Sequence, residues 1–192
     1  MTIVVDKITK SYGEKIVLDN VSMKLRSGQV TSLMGQSGSG KTTLAHILLG
    51  LTKPNSGKIE GLTGKSLAAV FQENRLCEGL SLMGNIRLVL KNKIEDEKIL
   101  KEMKEVGLEE ETAYRPVSQL SGGQKRRVAI LRAVMAESDF LILDEPFKGL
   151  DKETKEKTMT YVKKSIIGKT VLLITHDYQE AQFFGGEKLE LD

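Results

Sequence analysis

The chain has 192 residues, 40% of them hydrophobic and 29% charged, with a net charge of +3. These values fit one globular domain, or two packed lobes, with a sizeable core. A charge this mild, with no dense Lys/Arg block, argues against nucleic acid as a partner, and a single cysteine, Cys77, excludes an internal disulfide and fits a reducing compartment.

Ile3–Val5 and Val17–Leu25 read as strands of an opening antiparallel meander. The first fifteen residues, MTIVVDKITKSYGEK, lack the long apolar middle of a signal peptide. Val30–Met34 is a strand that runs straight into a Gly/Ser loop. Thr42–Leu49 then has helical character and stops near Gly50. Leu67–Phe71 reads as another strand. From about Leu80 to Ala136 no strand pattern appears. Ser81–Leu90, Glu95–Val106 and Ser121–Met135 have apolar positions at helical spacing, with Ile99, Leu100, Met103 and Val106 on one side of the second helix. Phe140–Leu143 and Val171–Ile174 are short apolar runs bounded by turns, the pattern of central strands buried on both faces. The charge-rich segments Lys91–Lys104 and Lys152–Lys164 read as solvated helix faces. Alternation of this kind predicts an α/β core with a mostly parallel sheet, 1–79 with 137–192, interrupted by a helical lobe at 80–136. No apolar run approaches the roughly 18–20 residues of a membrane-spanning helix, so work at a membrane would need a partner.

Residues 35–42 read GQSGSGKT, which fits G-x-x-x-x-G-K-[ST]. Gly35, Gly38 and Gly40, with Gln36, Ser37 and Ser39 between them, let the backbone turn tightly and aim successive N–H groups at phosphate oxygens. The following helix points its N-terminal dipole at the same charge. Lys41 supplies a cation for the β- and γ-phosphates, Thr42 a hydroxyl for Mg²⁺, and Thr43 a further phosphate hydrogen bond. On its own this loop says only that the chain binds a nucleoside triphosphate.

Residues 140–145 read FLILDE, an apolar strand ending in two carboxylates. Asp144 is placed to hold Mg²⁺, and Glu145, one residue further on, to polarise the attacking water. Residues 120–124 read LSGGQ. Ser121 is an N-cap candidate, and Gly122 and Gly123 expose N–H groups before the helix at Gln124–Met135, which makes a second anion site at a helix N-terminus. A given five-letter string turns up by chance in such a chain on the order of once in ten thousand.

An LSGGQ element between a P-loop and an FLILDE strand resembles the signature of ABC ATPases, and the resemblance covers essentially the whole chain. Taken singly, Tyr12 fits a strand edge, Gln72 a surface amide and His176 a structural histidine. In the order and spacing of the family, Tyr12 matches the aromatic that stacks on adenine. Gln72 matches the Q-loop glutamine that touches Mg²⁺ and the attacking water, and His176 the switch histidine that contacts the γ-phosphate. Gly149-Leu150-Asp151 resembles the D-loop, although KGLD replaces the frequent SALD. His46 and Cys77 read as structural, and Arg126, Arg127 and Arg132 as serving the helix face and interface rather than chemistry. The resemblance implies a head-to-tail homodimer in which ATP on one P-loop is capped by Ser121, Gly122, Gly123 and Gln124 of the twin. It implies ATP and Mg²⁺ as ligands, a transmembrane permease, a solute-binding protein, and a cytoplasmic place at the inner face of the membrane. The ENRL stretch after Gln72 is similar to importers of nitrate, sulfonates and taurine, although Leu76-Cys77-Glu78-Gly79 stands where they often have Leu-Pro-Trp. The short stretch after His176 implies no regulatory domain. The competing reading, a non-transport ABC ATPase on nucleic acid or ribosomes, lacks the basic patches and coiled-coil insertions of that group. A regulator that no longer hydrolyses is opposed by Glu145 and His176.

Overall fold

Strands rich in Val, Ile, Leu and Phe must be covered on both faces, and two segments meet that condition along their full length. In the computed structural model, which describes residues 2–92 and 94–191, these are Phe140–Asp144 and Thr170–Ile174, buried at every position. Lys93, within the charged Lys91–Lys104 stretch, lies outside the described residues, as do Met1 and Asp192. The chain forms two compact units: Met1–Leu67 with Ser138–Glu145 and Gly168–Asp192, and Ala68–Glu137 with Pro146–Ile167.

The first unit opens with β1 (Ile3–Tyr12) and β2 (Lys15–Leu25), antiparallel, followed by β3 (Val30–Met34), α1 (Lys41–Leu48) and β4 (Ser56–Glu60). β4 pairs antiparallel with the other side of β1. Its sequence SGKIE has almost no apolar face, which is why no periodic signal announced it. β1 runs well beyond the expected Ile3–Val5. Register shifts around Lys7, whose φ is 50°, absorb the polar Asp6-Lys7 pair as a bulge, and the strand continues.

β6 (Phe140–Asp144), β7 (Thr170–Ile174), β3 and β8 (Glu187–Glu190) form a parallel array in that order, with α6 (Tyr178–Phe184) leading into β8. Register decides what this array can do. Ile174 of β7 pairs with Leu33 of β3 on one side and with Asp144 of β6 on the other. The loops after β3, β6 and β7 therefore leave from one edge, the carboxyl edge where open α/β sheets bind ligands.

The second unit holds β5 (Leu67–Val70, from its second residue), α2 (Leu82–Arg87), α3 (Asp96–Glu105), α4 (Gly122–Met135) and α5 (Lys152–Ser165), with short 3₁₀ turns at Glu110–Thr112 and Val117–Gln119. Leu82, Ile86, Ile99, Met103, Val106, Val128, Leu131 and Val162 are its apolar centre. Its borders differ from the partition drawn from sequence at 80–136. Residues 146–167 go with the helices because α5 packs on α3 and α4, and residues 68–79 because Arg126 and Arg132 of α4 donate to the carbonyls of Phe71 and Arg75.

Candidate nucleotide site

β3 ends at Met34, and the chain turns through Gly35–Gly40 into α1. Two glycines make that turn sterically obligatory. At Gly35, φ is 140° and a Cβ would lie 2.1 Å from the Leu191 carbonyl oxygen. At Gly40, φ is 95° and a Cβ would meet Leu18 and Val17 at 2.6–2.7 Å. Gly40 caps α1 without a side-chain hydrogen bond, so the first-turn N–H groups keep their donors for an anion. Lys41 is only 8% exposed. Its ammonium curls over the loop, donating to the carbonyls of Gly35 at 2.9 Å and Gln36 at 2.6 Å and to Ser39 Oγ at 3.3 Å. The cation thus sits inside the ring of loop backbone where phosphate oxygens would be received.

At the same edge, Thr42 Oγ1 donates to Asp144 Oδ2 at 2.8 Å, with Asp144 buried at the end of β6. A carboxylate and a hydroxyl side by side form the hard-oxygen pair that Mg²⁺ takes together with substrate phosphates. No cluster of three or more metal-ligating acids, histidines or cysteines occurs among the described residues. The Thr42–Asp144 oxygen pair fits an ion shared with a triphosphate.

Glu145 follows Asp144, and His176 follows Thr175 at the end of β7. Glu145 Oε1 and His176 Nδ1 are 2.7 Å apart. The Glu145 N–H donates to the Ile174 carbonyl at 2.9 Å, and its φ of 49° is one that non-glycine residues seldom adopt. Such strain, of order 1–3 kcal/mol, persists where surrounding bonds over-determine it. His176 is bracketed as well. Thr175 Oγ1 donates to the buried Glu180 at 2.6 Å and accepts from the Asp177 N–H at 3.0 Å. Neither Thr175 nor Glu180 was singled out in the sequence, where nothing marks a Thr and a Glu five residues apart as a buried pair. Tyr12 ends β1, 52% exposed, with the Lys10 ammonium 5.1 Å from its ring centroid.

The second unit carries the remaining candidates. Ser121 caps α4 in a reciprocal box: its Oγ accepts from the Gln124 N–H at 3.2 Å, and Gln124 Oε1 accepts from the Ser121 N–H at 2.9 Å. Gly122 and Gly123 are the first two helical residues of α4. Gln72 is exposed, just past β5. Asp151 caps α5 through the Thr154 N–H at 3.0 Å. That hydrogen bond first, with the Arg127 charge a smaller contribution, holds its carboxyl below the usual range. Burial lowers the pKa of Arg127, whose guanidinium spans the carbonyls of Gly123, Val106 and Gly107 at 3.2, 3.1 and 2.6 Å. Arg126, read from sequence as a helix-face residue, is instead buried. The helical period that buries Ile130 and Val134 also points to position 126.

A strand, a glycine loop with an inward lysine, and an oxygen pair joining the following helix (Thr42) to the end of a parallel strand two places along the sheet (Asp144) define a P-loop nucleoside triphosphatase. Residues 18–148 match the family model described as ABC transporter. The spermidine/putrescine import ATP-binding protein of Mesoplasma florum is 36% identical over 91% of this chain, which spans 54% of that relative's length. The aliphatic sulfonates import ATP-binding protein of Corynebacterium glutamicum is 37% identical over 96% of this chain and 78% of its own. The dimeric post-hydrolysis structure of the ATP-binding cassette MJ0796, bound to ADP and Pi, superposes with a TM-score of 0.86 at 32% identity. It covers 99% of this chain and 94% of that one. The chain belongs to the ABC transporter family and is an ATP-binding, ATP-hydrolysing cassette of it.

Proposed function

We propose that this cassette powers solute import through a separate membrane permease. Two copies would clamp ATP head to tail and release each other on hydrolysis. The observation that carries this reading is the edge of the parallel array: the Thr42–Asp144 oxygen pair and the Glu145–His176 contact follow strands locked in register. Tyr12 would stack on adenine. Gly35–Gly40 and Lys41 would receive the phosphates, with Thr43 adding a hydrogen bond. Thr42, Asp144 and Gln72 would hold Mg²⁺, which when bound neutralises charge on the β- and γ-phosphates. Glu145 would orient a water on the γ-phosphorus and draw off its proton, while His176 steadies the γ-phosphate oxygens. Water oxygen forms the new P–O bond, the β–γ bridge breaks, and ADP and phosphate leave.

Ser121, Gly122, Gly123 and Gln124 would close the partner's nucleotide, with Asp151 at the same interface. The named relatives are import ATP-binding proteins, the solved relative is dimeric, and no described helix is long and apolar enough to cross a membrane. The relatives' names and the dimeric relative support a cassette that works in pairs with a permease; its place would be peripheral, at the cytoplasmic face, with a solute-binding protein as a further partner. The test has two arms. Purified chain should release phosphate from ATP only with Mg²⁺ present. The tagged chain drawn from native membranes should bring a protein with several apolar spans. Metal-independent turnover, or recovery without such a protein, would contradict the reading.

A further inference from the structure

Arg126 lies in the first turns of α4, two residues after Gln124, and is 4% exposed. Its Nε donates to the Pro146 carbonyl at 2.7 Å. Its Nη1 donates to the Phe71 carbonyl at 2.5 Å and reaches the Gln72 carbonyl at 3.4 Å and Asn74 Oδ1 at 3.3 Å. Two turns along the same helix, Arg132 Nη2 donates to the Arg75 carbonyl at 2.8 Å. The Arg75 guanidinium lies 3.9 Å from the centroid of the Phe71 ring. Phe71–Arg75 has no helix or strand of its own, and α4 supplies the donors that its backbone would otherwise find along a ladder.

Burying a guanidinium is costly unless its donors are satisfied. What arginine adds over a neutral side chain is a rigid fork of five donors, able to fix several carbonyls in one plane. Here two of the carbonyls belong to the residue carrying the Q-loop amide and to its neighbour, and the third to Pro146. We propose that Arg126 is a positioning residue for Gln72. It ties the main chain at Phe71 and Gln72 to α4, so the direction of the Gln72 side chain is set by the helix that also carries Ser121–Gln124. The inference rests on the role given to Gln72 in the proposed function. It adds that the glutamine and the Ser-Gly-Gly element share one support and shift together.

The full chain with Mg-ATP provides the test, through Arg126→Lys, Arg126→Gln, Gln72→Ala and the Arg126→Lys/Gln72→Ala double variant. Arg126→Lys keeps the charge and the stem and loses the fork. Its kcat should fall about tenfold, in line with the loss of an outer partner of a metal-site ligand, while KM for ATP stays within about twofold. Arg126→Gln should fall at least as far. The double variant should be no slower than Gln72→Ala by more than about twofold, since both changes act on one amide. Hydrogen exchange at residues 71–75 should quicken in Arg126→Lys and stay unchanged in β3. Fully additive losses, wild-type kcat in Arg126→Lys, or unaltered exchange at 71–75 would overturn the proposal. Wild-type turnover in Gln72→Ala would instead remove the underlying role of Gln72, an outcome separable from the others.

Discussion

Glu145 Oε1 and His176 Nδ1 meet at 2.7 Å across the ends of two adjacent parallel strands, with the glutamate side chain 15% exposed and the histidine 66%. The contact is a product of register. Asp144 pairs with Ile174, so the residues just beyond them emerge side by side. The unusual φ of Glu145 turns its side chain out of the strand's alternation. Acid and imidazole are therefore presented together at one edge of the sheet.

Replacing Glu145 by Gln preserves the shape of the side chain but removes the carboxylate proposed to draw off the proton. Turnover of Glu145→Gln should fall by about 10²–10⁴-fold, while Mg-ATP drives it into stable dimers on size-exclusion chromatography. A variant that stays monomeric in excess Mg-ATP would contradict the sandwich. Combining it with His176→Ala should cost little more than the worse single change, because the two side chains work together.

Lys41 tests the phosphate loop. Its ammonium is held by Gly35, Gln36 and Ser39, so Lys41→Ala removes a pre-aimed cation rather than a mobile one. Charge-assisted hydrogen bonds contribute about 1.5–3 kcal/mol, and ATP affinity by calorimetry should weaken roughly ten- to hundredfold. Unchanged affinity would remove the loop from the binding site.

The parts of this architecture that were readable from sequence are those where one force dominates. Phe140–Leu143 and Val171–Ile174 are apolar throughout, and both lie in strands buried at every position. Gly35–Thr42 announces itself because only glycine tolerates the backbone at Gly35 and Gly40. Ser121 was legible as an N-cap, and the capping box is present. β4 and β8 were not legible, since SGKIE and EKLE are polar edge segments whose pairing is decided by their neighbours. Arg126 was misjudged for a related reason. Charge argues for the surface, and only the carbonyls of residues distant in sequence, Phe71 and Pro146, make its burial tolerable.

Ser121 has two duties that substitution can separate. As N-cap of α4 it supports the helix; as part of the second anion site it would meet the partner's nucleotide. Ser121→Ala should lower stability by about 1 kcal/mol, and Ser121→Gly by only a few tenths, as read from the midpoint of urea unfolding. ATP-driven dimerisation in the Glu145→Gln background should weaken in both variants alike. If the loss of dimer instead tracked the loss of stability, the hydroxyl would be a cap and nothing more.

Asp151 makes a pH-dependent contribution whose sign is fixed by its shift. The Thr154 N–H, with a smaller effect from the Arg127 charge, lowers its folded pKa below the ordinary 3.8. The unfolded chain therefore binds the proton more readily, and stability from this group is fully present above the unfolded value. It is lost as pH falls through the folded one. Asp151→Asn keeps the cap geometry, since asparagine caps as well as aspartate, but cannot titrate. The difference in melting temperature between wild type and Asp151→Asn should be constant from about pH 5 to 7 and shrink below the unfolded value near 3.8. A difference that stays level to pH 2.5, or widens in favour of wild type on acidification, would show that the carboxylate charge at the head of α5 carries none of this stability.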